Sequence, residues 1–175
     1  KIKYKIITVN KITEGAACTV LLGFETINKN LPLIVKDCDQ IMNWSKENFL
    51  EFISRRENDG VLVTVPTINP GFSFVELKDD MSSVTRTKEK EVVSSFGNTG
   101  CYYFKKTSEF EFYTNKMIEK NIRTNNEFYI SQVYNEYLLD NKKILHYPIV
   151  EIFSINTPEE LGENSKKISA FLKNK

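Results

Sequence analysis

The sequence predicts an α/β fold: a mostly parallel central sheet with crossover helices and one added antiparallel hairpin. Three observations carry this. The first third of the chain alternates strand-like and helix-like segments. The runs PLIVKDCD and GVLVTVPT are continuous and apolar, as in strands buried on both faces of a parallel sheet. Further on, FSFVEL and VTRTKEK flank the polar turn KDDMSS, a hairpin pattern.

KYKIITV opens the chain as a strand, with Ile2, Tyr4, Ile6 and Val9 as its apolar positions. After KITEG, Ala17, Val20, Leu21, Phe24 and Ile27 recur at helical spacing up to the Asn-Lys-Asn break. PLIVKDCD follows as a buried strand. SKENFLEFISRRE reads as a helix with Ser45 at its N-cap and Asn48 at N3, and GVLVTVPT as the next buried strand. The hairpin leads into the strand NTGCYYF. Helices over 108–120 and 127–139 precede KILHYPIVEIFSI, which holds one or two strands. A last helix begins at Thr157, with Pro158 at N1 and Glu160 at N3.

A chain of 175 residues with 41% hydrophobic content fits a single domain over residues 1–175. Lys plus Arg number 24 against 23 Asp plus Glu, so no net field draws nucleic acid or an anionic membrane. Cys18, Cys38 and Cys101 are odd in number and widely spaced, which suits a reducing compartment rather than a disulfide scaffold. No apolar run reaches the length of a membrane span and no signal pattern precedes the first strand. The expectation is a soluble cytoplasmic protein. The chain lacks an initiator Met and opens within a strand pattern, so it is expected to start inside its fold.

In LIVKDCDQIMNW, Asp37 and Asp39 stand two residues apart where an apolar run stops. Strand alternation would put both carboxylates on one face, as a metal site needs, yet Asp is equally a turn residue. Strand ends are where open α/β sheets bind ligands, which favours the functional reading. Hard carboxylate oxygens with few other ligands suit Mg²⁺, which keeps waters and takes substrate phosphates into its shell. Nucleotidyl transfer, glycosyl transfer at an Asp-x-Asp site, and phosphate-ester hydrolysis all fit such an arrangement.

Taken in order, several segments resemble the sugar-nucleotidyltransferases, which join a nucleoside triphosphate to a sugar phosphate and have a Rossmann-like fold. TEGAACTV looks like the loop and helix where a glycine, here Gly15, lets the base approach the backbone. LIVKDCDQ looks like the strand ending in the family's Mg²⁺ aspartate, which falls on Asp39. VTRTKEK resembles the family's Val-x-x-x-x-Glu-Lys, with Glu89 toward the sugar and Lys90 toward its phosphate. NTGCYYF is similar to the strand lining the sugar pocket, with Gly100 at its bend. INTPEEL looks like the start of the terminal helix, and Glu127 resembles a glutamate that faces the sugar.

The departures are as specific. The family's Gly-rich loop, with its Arg for the triphosphate, would lie upstream of residue 1, so the resemblance implies that residues 1–175 alone are inactive or nearly so. The position of a second metal aspartate is Ser154, and Asn156 replaces the usual Gly; Asp37 is the candidate to supply the second carboxylate. The resemblance implies an enzyme of nucleotide-sugar synthesis that uses Mg²⁺, with a nucleoside triphosphate and a sugar 1-phosphate as substrates. Asp39 and Lys90 are its catalytic candidates, and Gly15, Glu89, Gly100 and Glu127 line its substrates. An Asp37-Cys38-Asp39 glycosyltransferase and a non-catalytic ligand-binding domain remain as alternatives. Taken singly, Lys90 and Glu89 also suit a solvated strand edge, and Glu127 suits a helix start. His146, the single histidine, reads as a satisfied sheet residue, the Tyr102 to Phe104 run as core, and Trp44 as packing near the site mouth.

Overall fold

The computed structural model describes residues 4–173. Its centre is a six-stranded sheet in which β5 (Val84–Glu89), β4 (Ser73–Leu77), β6 (Phe96–Phe104), β3 (Gly60–Pro66) and β7 (Ile144–Pro148) lie in that order, with β1 (Leu33–Lys36) also paired to β6. β3 and β7 pair in parallel, whereas β1, β3 and β4 each pair antiparallel to β6, and β4 antiparallel to β5. β1, β3, β4 and β7 therefore share one direction. The sheet is mixed because β6, fed by the hairpin, runs back between strands that would otherwise be parallel neighbours.

Two cores sandwich this sheet. On one face α1 (Ala16–Leu21), α3 (Thr107–Glu119) and α4 (Ile130–Leu139) bury Ala17, Phe110, Met117 and Tyr134 against Leu62, Tyr102 and Phe104. On the other, Phe49 of α2 (Lys46–Arg55) packs with Val61, Val63, Val65 and Tyr103. Successive residues of β3 and β6 thus feed opposite cores, which is why β3 needs an unbroken apolar run. A smaller sheet pairs β2 (Gln40–Asn43) antiparallel to β8 (Glu151–Ser154), and α5 (Pro158–Lys173) follows β8. Among the described residues no helix is long and apolar enough to cross a membrane, and the three cysteines are free.

Local signals hold where they are chemical. The Ser45 hydroxyl accepts the Asn48 N–H at 3.1 Å, capping α2. Thr157 accepts the Glu160 N–H at 3.2 Å, and the Glu160 carboxylate reaches back to the Asn156 N–H at 2.9 Å.

Four expectations are corrected. The opening segment forms no strand over residues 4–9, where Tyr4 is 84% and Ile6 78% exposed; no strand among the described residues pairs with it, and alternation without a partner ladder makes no strand. Ile2 lies outside the described residues. β1 is half-buried, with Ile34 48% exposed, because among the described residues β6 alone pairs with it. The helix after KITEG is six residues long, and past Gly23 it tightens into a single 3₁₀ turn, Phe24–Thr26. The fourth helix starts at Ile130, not at 127, since Glu127 forms a bridge with Thr124.

Candidate active site

β1 and β4 share one edge of β6 without touching end to end. The β1 ladder stops at Lys36 opposite Cys101, and β4 meets the same edge at Phe74 opposite Gly97. Residues 98–100 between them have no strand on that side. Their backbone is satisfied otherwise: the Asp37 N–H donates to Gly100 O at 2.9 Å, and the Gly100 N–H donates to Asn98 Oδ1 at 2.8 Å. At this gap a cavity of about 550 Å³ opens, lined by Asp37, Glu89, Lys90, Asn98, Gly100 and Tyr102 among others. It is the kind of break between neighbouring strands where α/β sheets seat ligands.

Gly100 and Asp37 are made for each other. Gly100 has φ +68°, and a Cβ there would fall 2.0 Å from Asp37 Oδ2, so any side chain would displace the carboxylate. Burial, and then the charge of Asp39, hold the Asp37 carboxyl above its ordinary value of 3.8, against the pull of Lys36. β1 ends at Lys36, before both acids, so strand alternation does not set the directions of their side chains. Asp37 lines the cavity, while Asp39 is not among the lining residues. Asp39 carries a buried Oδ1 with no hydrogen-bond partner, and its backbone oxygen accepts the Ile155 N–H at 2.9 Å.

An unpartnered carboxylate oxygen beside a second acid that repels it is a donor set a hard divalent cation would satisfy, with water and phosphate completing the shell. Among the described residues no group of three or more His, Cys, Asp or Glu side chains is placed to hold a metal alone. At Ser154 the hydroxyl donates to Glu160 Oε2 at 2.8 Å, so a carboxylate from α5 stands beside that position, and both residues line the cavity.

Glu89 and Lys90 are consecutive and would point to opposite faces in a regular strand. Both line the cavity because Lys90 leaves β5 in the left-handed region, φ 56°, with its N–H on Phe72 O at 3.1 Å. Non-glycine residues held there cost of order 1–3 kcal/mol and cluster at functional sites. Glu89 Oε2 accepts the Ser131 hydroxyl at 2.7 Å. Burial raises the Glu89 carboxyl above its ordinary value; Ser131 and Lys90 oppose this, and the charges of Asp37 and Glu127 add to it. The Lys90 ammonium donates to the Tyr129 hydroxyl, which raises its pKa further.

The remaining candidates are placed less directly. A Cβ on Gly15, φ +127°, would lie 2.5 Å from both N and O of Phe128, so this glycine makes room for the segment before α4, while its neighbour Ala16 lines the cavity. Glu127 is not a lining residue and reaches the site only through its charge. Trp44 packs on Phe49, ring centroids 5.0 Å apart, and is not among the lining residues. His146 is buried and satisfied, with Nδ1 3.0 Å from Thr64 Oγ1 and Nε2 3.0 Å from Met81 O. A carbonyl only accepts, so Nε2 carries the proton and Nδ1 accepts from Thr64.

Sequence reasoning missed Asn98 and Tyr129 and gave Tyr102 to the core. Tyr102 is buried and lines the cavity as well. An Asn two residues before a glycine in a strand was the available signal for Asn98.

No family model matches the chain, and no curated protein does. Solved structures match it closely in fold. A nucleoside-diphosphate-sugar pyrophosphorylase of Vibrio cholerae superposes with TM-score 0.77 at 22% identity, covering 89% of this chain and 66% of that one. A putative glucose-1-phosphate thymidylyltransferase of Bacillus anthracis, in complex with a sucrose, gives 0.71 at 16% identity, covering 91% and 63%. The inositol-1-phosphate CTP transferase of T. maritima gives 0.67 at 10% identity, again covering 91% and 63%. The chain has the nucleotidyltransferase fold and spans about two thirds of the length of these structures.

Proposed function

We propose that the protein is a nucleotidyltransferase that moves a nucleotidyl group from a nucleoside triphosphate to a phosphorylated small molecule, a sugar 1-phosphate, with release of pyrophosphate. The carrying observation is the convergence of Glu89, Lys90, Asp37 and Gly100 on one cavity at the bare edge of β6. A phosphate oxygen of the acceptor bonds to the α-phosphorus of the triphosphate, and the bond to the β-phosphate oxygen breaks with its electron pair leaving on pyrophosphate. The protein needs no nucleophile. Its work is placement and neutralisation of charge.

Lys90 holds the acceptor phosphate as a cation already oriented by Tyr129. Glu89, fixed by Ser131, accepts from an acceptor hydroxyl. Asp37 and Asp39 would hold Mg²⁺. When bound, that ion supplies positive charge at the phosphates of the nucleotide. Transfer of a sugar at the Asp37-x-Asp39 pair is less favoured, since Glu89 with Lys90, which both line the cavity, would have no assigned role.

The test is pyrophosphate release, with Mg²⁺, from each of the four ribonucleoside triphosphates and dTTP against a panel of sugar 1-phosphates. Release that depends on one acceptor supports the reading. Release of a nucleoside diphosphate from a sugar nucleotide, with no pyrophosphate under any condition, would sink it.

A further inference from the structure

A second cavity, of about 370 Å³, opens at the other end of β5 and α4 from the candidate active site. The first cavity is lined at Glu89, the end of β5, and at Ile130, the start of α4. The second is lined at Val84, the start of β5, and at Leu138, near the end of α4. Their charges are opposite. Asp37, Glu89 and Glu160 outnumber Lys90 around the first, whereas Lys78, Lys142 and Lys143 line the second and no Asp or Glu does.

Local chain chemistry brings these lysines together. Asn141 follows α4 in the left-handed region, φ 57°; its N–H donates to Leu138 O at 3.0 Å, and the Lys142 N–H donates to Tyr137 O at 3.1 Å. This cap satisfies helix-end carbonyls that would otherwise repel an anion, and it turns the chain into Lys142 and Lys143 just before β7. On the hairpin side the turn consumes its own acid. Asp80 accepts the Ser82 N–H at 2.9 Å, and the Ser83 N–H and hydroxyl at 2.8 and 2.6 Å. Lys78 acts on Asp80 through its charge alone and makes no ion pair among the described residues. Lys143 has Glu57 at 3.6 Å, an acid whose side chain is 85% exposed, so solvent screens that pairing. Lys142 is shared with Glu109 at 3.2 Å and Asp59 at 3.8 Å, neither of which lines the cavity.

Like charges around one concavity focus a positive potential into it, which a counter-ion relieves. A volume at the small end of roughly 300–1,000 Å³ suits a small molecule rather than a protein segment. An anion with a single charged group answers one lysine. One with two or more phosphate groups answers Lys78 and Lys143 together, with the Asn141 amide as a neutral donor beside them.

We propose that this cavity is a second anion-binding site, in which Lys78 and Lys143 bind a compact anion carrying two or more phosphate groups. The inference uses neither the acceptor site nor the cation site proposed above, so it stands or falls apart from them.

The experiment is titration of ¹⁵N-labelled protein with inorganic pyrophosphate and, separately, with ATP, in EDTA at constant ionic strength, followed by backbone amide shifts. The expected result is a saturable shift at Val84, Lys143 and Ile144 that persists in Lys90→Ala. Affinity is expected to fall about tenfold or more when Lys78→Met and Lys143→Met are combined, and to be kept when both lysines become arginine. Pyrophosphate binding at least as tightly as ATP supports the site with the free anion as its ligand. Tighter binding of ATP supports it with a nucleotide as the ligand, its nucleoside lying on buried Val84 and Ile144. Shifts confined to the first cavity would overturn the proposal, as would shifts that sodium sulfate reproduces at the same concentration, or an affinity unchanged by the paired methionines.

Discussion

The ammonium of Lys90 donates to the Tyr129 hydroxyl at 2.9 Å and stands 5.1 Å from the centroid of the same ring. Hydroxyl and ring face together hold an exposed, flexible side chain at the cavity. Lys90→Ala is therefore expected to weaken acceptor binding about ten- to a hundredfold, the range for a lost charge-assisted contact to phosphate. Tyr129→Phe keeps the ring and drops the hydroxyl, so its loss is expected to stay below about tenfold. Calorimetry with a sugar phosphate checks both, and equal losses would mean that Tyr129 touches the ligand itself.

Asp37→Asn is expected to raise the melting temperature at neutral pH. The sign follows from the raised carboxyl: the proton is bound more tightly in the folded state than in the unfolded one. The stability from Asp37 is then full below the ordinary value of 3.8 and is lost as pH rises through the raised value. Wild type is expected to lose stability over that interval and the variant to lose less, read by scanning calorimetry without added metal.

Mg²⁺ is expected to recover what the paired acids cost. Binding to the folded state alone raises stability by mass action, so millimolar Mg²⁺ should lift the melting temperature of wild type. Asp37→Asn and Asp39→Asn should each remove that lift. A lift that survives in Asp39→Asn would take its unpartnered Oδ1 out of the cation site.

His146 gives a pH signature of opposite sign. Burial depresses its pKa below 6.5, against the Met81 carbonyl and the charge of Asp80, so the neutral ring is the folded form. Its contribution is complete above 6.5 and is lost as pH falls toward the depressed value. As the single histidine, it gives one Cε1–H resonance, which is expected to titrate below 6.5. Titration at or above 6.5 would show the ring to be exposed.

The two positive-φ glycines should fail differently. In Gly100→Ala the new methyl meets a side chain, Asp37, that can swing away, so a stability loss of about 1–3 kcal/mol is expected, together with loss of the Mg²⁺ lift. In Gly15→Ala it meets the Phe128 backbone, which has no such freedom, and a larger loss, above about 3 kcal/mol, is expected. Urea unfolding separates the two.

What the sequence made legible was local. Ser45, Thr157 and Glu160 cap helices through bonds spanning a few residues, and the hairpin around KDDMSS closes on itself. What it hid depends on neighbours distant in the chain. Whether LIVK is buried on both faces is decided by what lies beside β1, and whether residues 4–9 form a strand by what pairs with them. Glu89 and Lys90 were legible as a pair, but the turned backbone that brings both to one cavity was not. For Asn98 the Asn-x-Gly spacing was visible, but that β1 and β4 leave β6 bare beside it was not, since this is a property of three strands at once.

The bond from the Ile155 N–H to the Asp39 carbonyl ties the acid turn to the joint between β8 and α5. That amide is a built-in reporter. Its proton can exchange with solvent only when the turn carrying Asp39 parts from the joint, so its exchange rate counts those openings directly. Occupancy of the acid turn can then be followed at one backbone position, with no label and no turnover, by watching that single proton slow.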